Sequence, residues 1–313
     1  MFLVANVAAG DWSARLGAQL AYPVLAMSFL SQIPDTPVVR ALRSIAIVAV
    51  LIATTFILVA AVEARWVRVD NRELSSPNLP AEFDGTRLVF VADVHAGPNL
   101  RRGKMGALID QVNGLDPDVV LLGGDYVGGK ADGASIFYPE VARLKAPLGI
   151  YAVLGNHDVW EGADKALAGL SKAGITVLDN ESVRVRKGDS EIVVAGLEDL
   201  YTGHPDAVIA GENVDPSDFA VLMSHNPDAL AGQLPVTSDL WDLALAGHTH
   251  GGQVTFFGLF APIVATQFGQ RYRTGWKSEE GVPILVTNGV GTVTVPLRFF
   301  ARAEIHVITL RRG

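Results

Sequence analysis

The chain has 313 residues, 49% of them hydrophobic, a formal net charge of −8 and no cysteine. That size and composition allow one large domain with a well-buried core plus a smaller element. Disulfides and thiolate metal sites are excluded, and an acidic chain without a basic stripe gives no reason to expect a nucleic-acid partner.

In chain order, residues 16–33 form an uncharged stretch broken by Pro23 and carrying Gln19 and Gln32. It reads either as a membrane span or as an interfacial helix. Residues 44–62 (SIAIVAVLIATTFILVAAV) carry no charge at all, and as a helix that length spans a bilayer core of about 30 Å. The charge-then-apolar order and small-residue cleavage site of a signal peptide are missing. Residues 1–66 are therefore read as a membrane anchor. Residues 67–82 are read as a linker, with a loosely alternating edge strand over 67–74 and a Pro/Ser-rich connector after it. A large globular domain is expected over 83–313. Residues 99–112 place Met105, Leu108, Ile109 and Val112 on one helical face, and residues 162–173 predict a second helix. Residues 182–186 and 191–195 flank Lys187-Gly188-Asp189-Ser190, a hairpin signal. Strands are expected over 283–287 and 304–310.

Five apolar runs end in metal-ligand residue types. Val89-Phe90-Val91-Ala92 leads to Asp93 and His95, and Val119 to Leu122 leads to Gly123-Gly124-Asp125. Ile150 to Leu154 leads to Gly155-Asn156-His157-Asp158, Ala220 to Ser224 leads to His225, and Trp241 to Ala246 leads to Gly247-His248-Thr249-His250-Gly251-Gly252. In open α/β sheets ligands bind at the carboxyl ends of strands, so the five clusters are expected to converge. The seven donors Asp93, His95, Asp125, Asn156, His225, His248 and His250 are more than one ion takes while keeping an open position. Shared between two ions, with one carboxylate bridging, they leave room for water. Mixed carboxylate and imidazole ligation suits two divalent ions of the Mn²⁺, Fe²⁺ or Zn²⁺ kind.

With these motifs in this order, the chain resembles the calcineurin-like metallophosphoesterase superfamily from about residue 85 to residue 310. Gly196-Leu197-Glu198-Asp199, Ser224-His225-Asn226-Pro227-Asp228 and Asn288-Gly289-Val290-Gly291-Thr292 resemble its bacterial membrane-associated branch. Many members have Ser where Ala92 stands and Pro where Ala303 precedes Glu304; neither position is a ligand. The resemblance implies a four-layer αββα sandwich behind an N-terminal transmembrane helix. It also implies that Asp93, His95, Asp125 and His250 hold one metal while Asp125, Asn156, His225 and His248 hold the other.

The expected activity is cleavage of a phosphodiester or pyrophosphate bond by direct attack of a metal-bridging hydroxide. His157 serves as general acid or charge stabiliser, and Asp158 either orients it or caps a helix. Glu198 and Asp199 could orient a ligating histidine; His204 reads as a loop residue and His306 as structural. The aromatics Phe256, Phe257, Phe260, Phe268, Tyr272 and Trp276 read as core, with a wall for a lipid tail as the alternative. A lipid bilayer and a phosphoester or lipid-linked pyrophosphate are the expected partners. UDP-2,3-diacylglucosamine hydrolysis in lipid A synthesis is the specific alternative, and a membrane-anchored metal-binding module without turnover is the alternative of another class. Arg40 and Arg43 flank the 44–62 run on its N-terminal side and Arg65, Arg68 and Arg72 on its C-terminal side, which alone favours a cytoplasmic domain. A second span over 16–33 would reverse this, and the linker resembles exported members, so the domain is expected outside the cytoplasm.

Overall fold

The computed structural model describes residues 36–128 and 133–313. The chain divides into two units, Met1–Val59 and Ala60–Gly313. The described part of the first belongs to α1 (Pro37–Glu63), whose last turn lies in the second. This 27-residue helix buries Ala60 and Glu63 and exposes its other apolar side chains to their surroundings, and it is long and apolar enough to cross a membrane. It contains the expected span, 44–62. The stretch 16–33 lies outside the described residues. Arg65 closes the helix by donating from Nη1 to the Ala61 carbonyl (2.7 Å), satisfying an acceptor that has no partner within the helix.

The second unit begins with β1 (Arg68–Ser76), β2 (Arg87–Val91), α2 (Arg102–Asn113), β3 (Val119–Leu122) and α3 (Gly133–Val141). It continues with β4 (Ile150–Ala152), α4 (Asn156–Lys172), β5 (Thr176–Val177), β6 (Glu181–Lys187), β7 (Ser190–Gly196) and α5 (Ala207–Ala210). Then follow β8 (Ala220–Ser224), α6 (Pro227–Thr237), β9 (Leu243–Ala246), β10 (Gly275–Glu279), β11 (Val282–Val286) and β12 (Glu304–Arg312). One sheet has the order β1-β12-β2-β3-β4-β5, the other β10-β11-β9-β8-β7-β6.

Side-chain alternation makes the layers. Successive residues of a strand face opposite sides of the sheet. In β2, Leu88 and Phe90 face one way, where they pack with Leu121 and Ile308 against Val194, Met223 and Leu245 of the second sheet. Val89 and Val91 face the other way, onto Met105, Leu108, Ile109 and Val112 of α2. The second sheet repeats the pattern, with Val193, Leu222, Ala244 and Val286 facing α5 and α6. The central strands of both sheets are buried on both faces, which explains why they read as continuous apolar runs. The result is the mixed α/β, four-layer αββα arrangement expected from sequence.

The stretch 67–82 is not a linker. β1 pairs in parallel with β12 along its whole length, Arg68 with Glu304 through Ser76 with Arg312, and Leu79 and Phe83 are buried between the sheets. As an edge strand β1 is held by its backbone ladder and exposes much of its surface, so its side chains advertise little.

His306, on β12, is structural. Its Nε2 lies 3.2 Å from Glu304 and 3.1 Å from Thr287 Oγ1, and its Nδ1 lies 3.6 Å from Asp70 on β1. Burial opposes its charge, but Asp70 and Glu304 override this and raise its pKa. Contact with His306 pulls Asp70 down to about 2. A raised histidine stabilises the fold fully below its unfolded pKa of about 6.5 and loses that contribution as pH rises through its folded value; a depressed carboxylate loses its contribution as pH falls. His306→Asn should therefore lower the urea midpoint most near pH 5.5 and progressively less as pH rises above the unfolded value. A pH-independent loss would contradict this ion-pair account.

Candidate metal centre

The parallel strands β2, β3, β4, β8 and β9 deliver their carboxyl ends to one place. Asp93 and His95 follow β2, Asp125 follows β3, Asn156 and His157 open α4 beyond β4, His225 follows β8, and His248 and His250 follow β9. The chain must turn sharply at each end to aim these side chains inward. Asp93, His95, Asp125, His248 and His250 all adopt left-handed backbone, with φ between 45° and 69°. Such conformations cost about 1–3 kcal/mol each and persist where the surroundings over-determine them. Gly124 shows how tight the packing is. Its φ is +90°, and a Cβ there would sit 2.7 Å from both the Gly155 nitrogen and His225 Nδ1.

The donor atoms form overlapping groups: Asp93, His95 and His250; Asp125, His225 and His248; and His95, Asp125 and His157. Asp125 links them. Its Oδ2 lies 3.4 Å from His95 Nε2 and 3.3 Å from His225 Nε2. His95 Nε2 is 3.0 Å from His250 Nε2, and His225 Nε2 is 3.1 Å from His248 Nδ1. Three buried donor atoms, Asp93 Oδ2, Asn156 Oδ1 and His248 Nε2, have no hydrogen-bond partner. Buried polar atoms are almost always satisfied, so three orphans in one cluster of hard and borderline donors fit a divalent cation. Asn156 lines the same cavity as Asp125, His248 and His250.

Electrostatics agree. Burial lowers His95 to about 4 and His248 to about 3, and it takes His250 well below its ordinary value, so all three are neutral, the form that ligates metal. Burial alone would raise Asp125, but the His225 charge overrides it and holds the carboxyl below the usual range. Asp125 in turn pushes His225 up to about 10 against its burial. Burial raises Asp93 to about 7.

A support layer fixes the donors. Asp125 Oδ1 accepts from the His157 amide (2.9 Å), Asp93 Oδ1 accepts from the His248 amide (2.9 Å), and His225 Nδ1 faces the Gly123 carbonyl at 2.8 Å. Asp158 does not orient the His157 ring. Its carboxylate accepts from the backbone amides of Asp125 (2.8 Å), Tyr126 (2.9 Å) and Gly155 (3.0 Å), capping α4 and clamping the β3 turn at once. Glu198 and Asp199 do not reach a histidine either. Asp199 accepts from the amides of Tyr201 and Thr202, and Glu198 from that of His204, so they shape the turn that brings the Tyr201 ring to 5.1 Å from His248. His204 is an exposed loop residue.

Sequence reasoning missed Arg298. It is fully buried, and its guanidinium donates to the carbonyls of Asn288 (2.7 Å), Gly291 (2.6 Å) and Ala301 (2.8 Å), with Nη2 3.3 Å from His250 Nδ1. Burial lowers its pKa to about 10, which leaves it charged at neutral pH. It ties the loops after β9 and β11 together beneath the histidine pair. A lone arginine in an irregular stretch carries no periodic signal that would reveal this.

His157 is half-buried, its ring edge-on to His95 at 4.8 Å and 5.2 Å from Trp160. It lines a cavity of about 610 Å³ together with Asp125, His248 and His250 and the apolar Ile263 and Val295. Without metal, Asp93 and His225 hold protons near neutral pH, and ligation requires bare donors. Metal uptake at pH 7 should therefore release protons, and affinity should fall as pH drops below 7. Titration calorimetry in buffers of different ionisation enthalpy measures the release; none would contradict the ligand assignment.

The calcineurin-like phosphoesterase model matches residues 86–252. An uncharacterized metallophosphoesterase of Bacillus subtilis (strain 168), YkuE, is 30% identical over 253 residues, covering 80% of this chain and 87% of that protein. A Bos taurus transmembrane protein with metallophosphoesterase domain is 29% identical over 310 residues, covering 94% of this chain and 69% of its own length. An uncharacterized metallophosphoesterase of Aquifex aeolicus (strain VF5) is 28% identical over 257 residues, covering 80% and 94% respectively.

Proposed function

The chain belongs to the calcineurin-like phosphoesterases and is a metal-dependent phosphoester hydrolase; on that premise we propose that it is membrane-anchored, binds two divalent cations and cleaves a phosphodiester or pyrophosphate bond of a lipid-linked substrate. The observation that carries the reading is the position of Asp125 Oδ2, within 3.4 Å of one histidine from each donor group. In this reading Asp93, His95 and His250 hold one cation and Asn156, His225 and His248 the other, with Asp125 shared. The cations supply Lewis acidity and an activated water.

The protein's own groups do the rest. His157 sits at the cavity wall, where its ring can pass a proton to the departing oxygen or stabilise the charge that develops there. The apolar part of the cavity lining, with Ile263 and Val295, suits an acyl-bearing substrate. α1 supplies the anchor. The domain faces outward in this reading, because a span over 16–33 would leave Arg40 and Arg43 in a short cytoplasmic loop; protease protection of oriented vesicles tests that part alone.

Asp125→Asn should lower hydrolysis of bis(p-nitrophenyl) phosphate in Mn²⁺ about a thousandfold, the several kcal/mol that metal Lewis acidity contributes. His157→Gln should lower kcat for esters with poor leaving groups while leaving metal content unchanged. If the wild type shows no turnover on any ester with any of the three metals, a binding module without turnover is the better reading. Thr249 Oγ1, one of two threonine hydroxyls lining the cavity, is committed to the Arg273 carbonyl (2.7 Å), and a water activated by the cations is the expected nucleophile. A chiral-phosphate assay should show inversion at phosphorus, and retention would contradict a single displacement.

A further inference from the structure

Residues 254–270 carry no charged side chain. Sequence reading takes the aromatics here as core. Tyr272, just beyond, is indeed buried, but Phe256, Phe257, Phe260 and Phe268 are exposed. Leu259 is 80% exposed and Ile263 81%. Single apolar residues on a surface need no explanation, whereas a contiguous patch marks an interaction site. This patch is contiguous: the Phe257 ring lies 5.0 Å from Phe256 and 5.5 Å from Phe300, itself exposed. Polar bonds at the base hold the loop in shape. Thr255 donates to the Phe299 carbonyl from its amide (3.0 Å) and hydroxyl (2.9 Å), the Gly258 amide donates to Thr255 Oγ1 (2.8 Å), and Arg273 Nη2 donates to the Gly258 carbonyl (2.7 Å). The apolar tips therefore project from an ordered frame with nothing among the described residues covering them.

The frame also names the cover. The segment bearing Phe300 is the one to which the last turn of α1 is fastened. The Arg298 amide donates to the Ala60 carbonyl (2.9 Å), and the Phe300 amide donates to Glu63 Oε2 (2.6 Å). The patch is thus continuous with the end of a helix that has the length and composition of a membrane span. Trp66, three residues past that end, is 69% exposed, and tryptophan at such a place favours the headgroup level.

We infer that the 254–263 loop and Phe300 form a second membrane contact, seated at the boundary of headgroups and acyl chains. A single helix leaves a domain free to swing; a second contact beside it fixes which face meets the lipid. Ile263 belongs both to this surface and to the cavity that Asp125 and His157 line, so a phosphate held by a lipid reaches the metal residues without its acyl chains leaving the apolar phase. The surface rests on the anchoring part of the proposed function and not on the substrate.

The absence of cysteine makes the test clean. Full-length single-cysteine variants Phe256→Cys and Leu259→Cys, in nanodiscs of phosphatidylcholine and phosphatidylglycerol, are spin-labelled and their depth read from oxygen and nickel-chelate relaxation. Leu51→Cys, within α1, reports the anchor, and Val236→Cys, on α6 and 71% exposed, reports water. Labels at 256 and 259 should lie about 5–10 Å below the headgroup surface, with 236 in water and 51 in the bilayer core. Labels at 256 and 259 as water-accessible as 236, with 51 still deep, would overturn the surface and spare the anchor. All four in water would overturn both. Dipolar broadening at 259 without lipid depth would assign the patch to a second copy of the chain and overturn the proposal equally.

Discussion

Everything in the catalytic unit leads to one buried carboxylate. Asp125 sits where two groups of imidazoles meet, with one oxygen committed to the His157 amide and the other to the histidines. Its position is bought with left-handed backbone and secured by Asp158, which grips the same turn through main-chain amides. A carboxylate so placed can be shared by two cations only if the ends of β2, β3, β4, β8 and β9 are rigid relative to one another. The double sheet, whose central strands are buried on both faces, provides that rigidity.

Charge balance explains the choice of residues around it. Three imidazoles are kept neutral by burial, and the fourth borrows its charge from Asp125. Dications at this site reverse the local logic, favouring both aspartates ionised and all four imidazoles deprotonated. Arg298 sits close by yet hydrogen-bonds carbonyl oxygens and a single imidazole nitrogen, with no carboxylate in salt-bridge contact among the described residues. Its cation is offset by main-chain dipoles, which keeps the aspartates available to ligands.

Much of this was legible in the sequence, for a physical reason. Strands buried on both faces read as unbroken apolar runs, and their carboxyl ends are where function collects in such sheets. Asp93, His95, Asp125, Asn156, His225, His248 and His250 each follow such a run. What stayed hidden depends on tertiary context. The edge strand over 67–74 is legible in its loose alternation, but its pairing along β12 rests on a backbone ladder, so the stretch 67–82 as a whole read as a linker. Asp158 acts on the main-chain amides of Asp125 and Tyr126, brought near by folding, which no local spacing encodes, whereas Asp199 makes a local turn onto the amides of Tyr201 and Thr202. Arg298 lies in an irregular segment. The aromatics after His250 looked like core because composition alone does not tell a buried ring from one that faces lipid.

The central claim is that Asp125 is shared between two cations. Anomalous diffraction from crystals grown with Mn²⁺ tests it most directly. The account predicts two peaks per chain, one among Asp93, His95 and His250, the other among Asn156, His225 and His248, both within ligating distance of Asp125. A single peak, or two peaks of which only one touches Asp125, would contradict it.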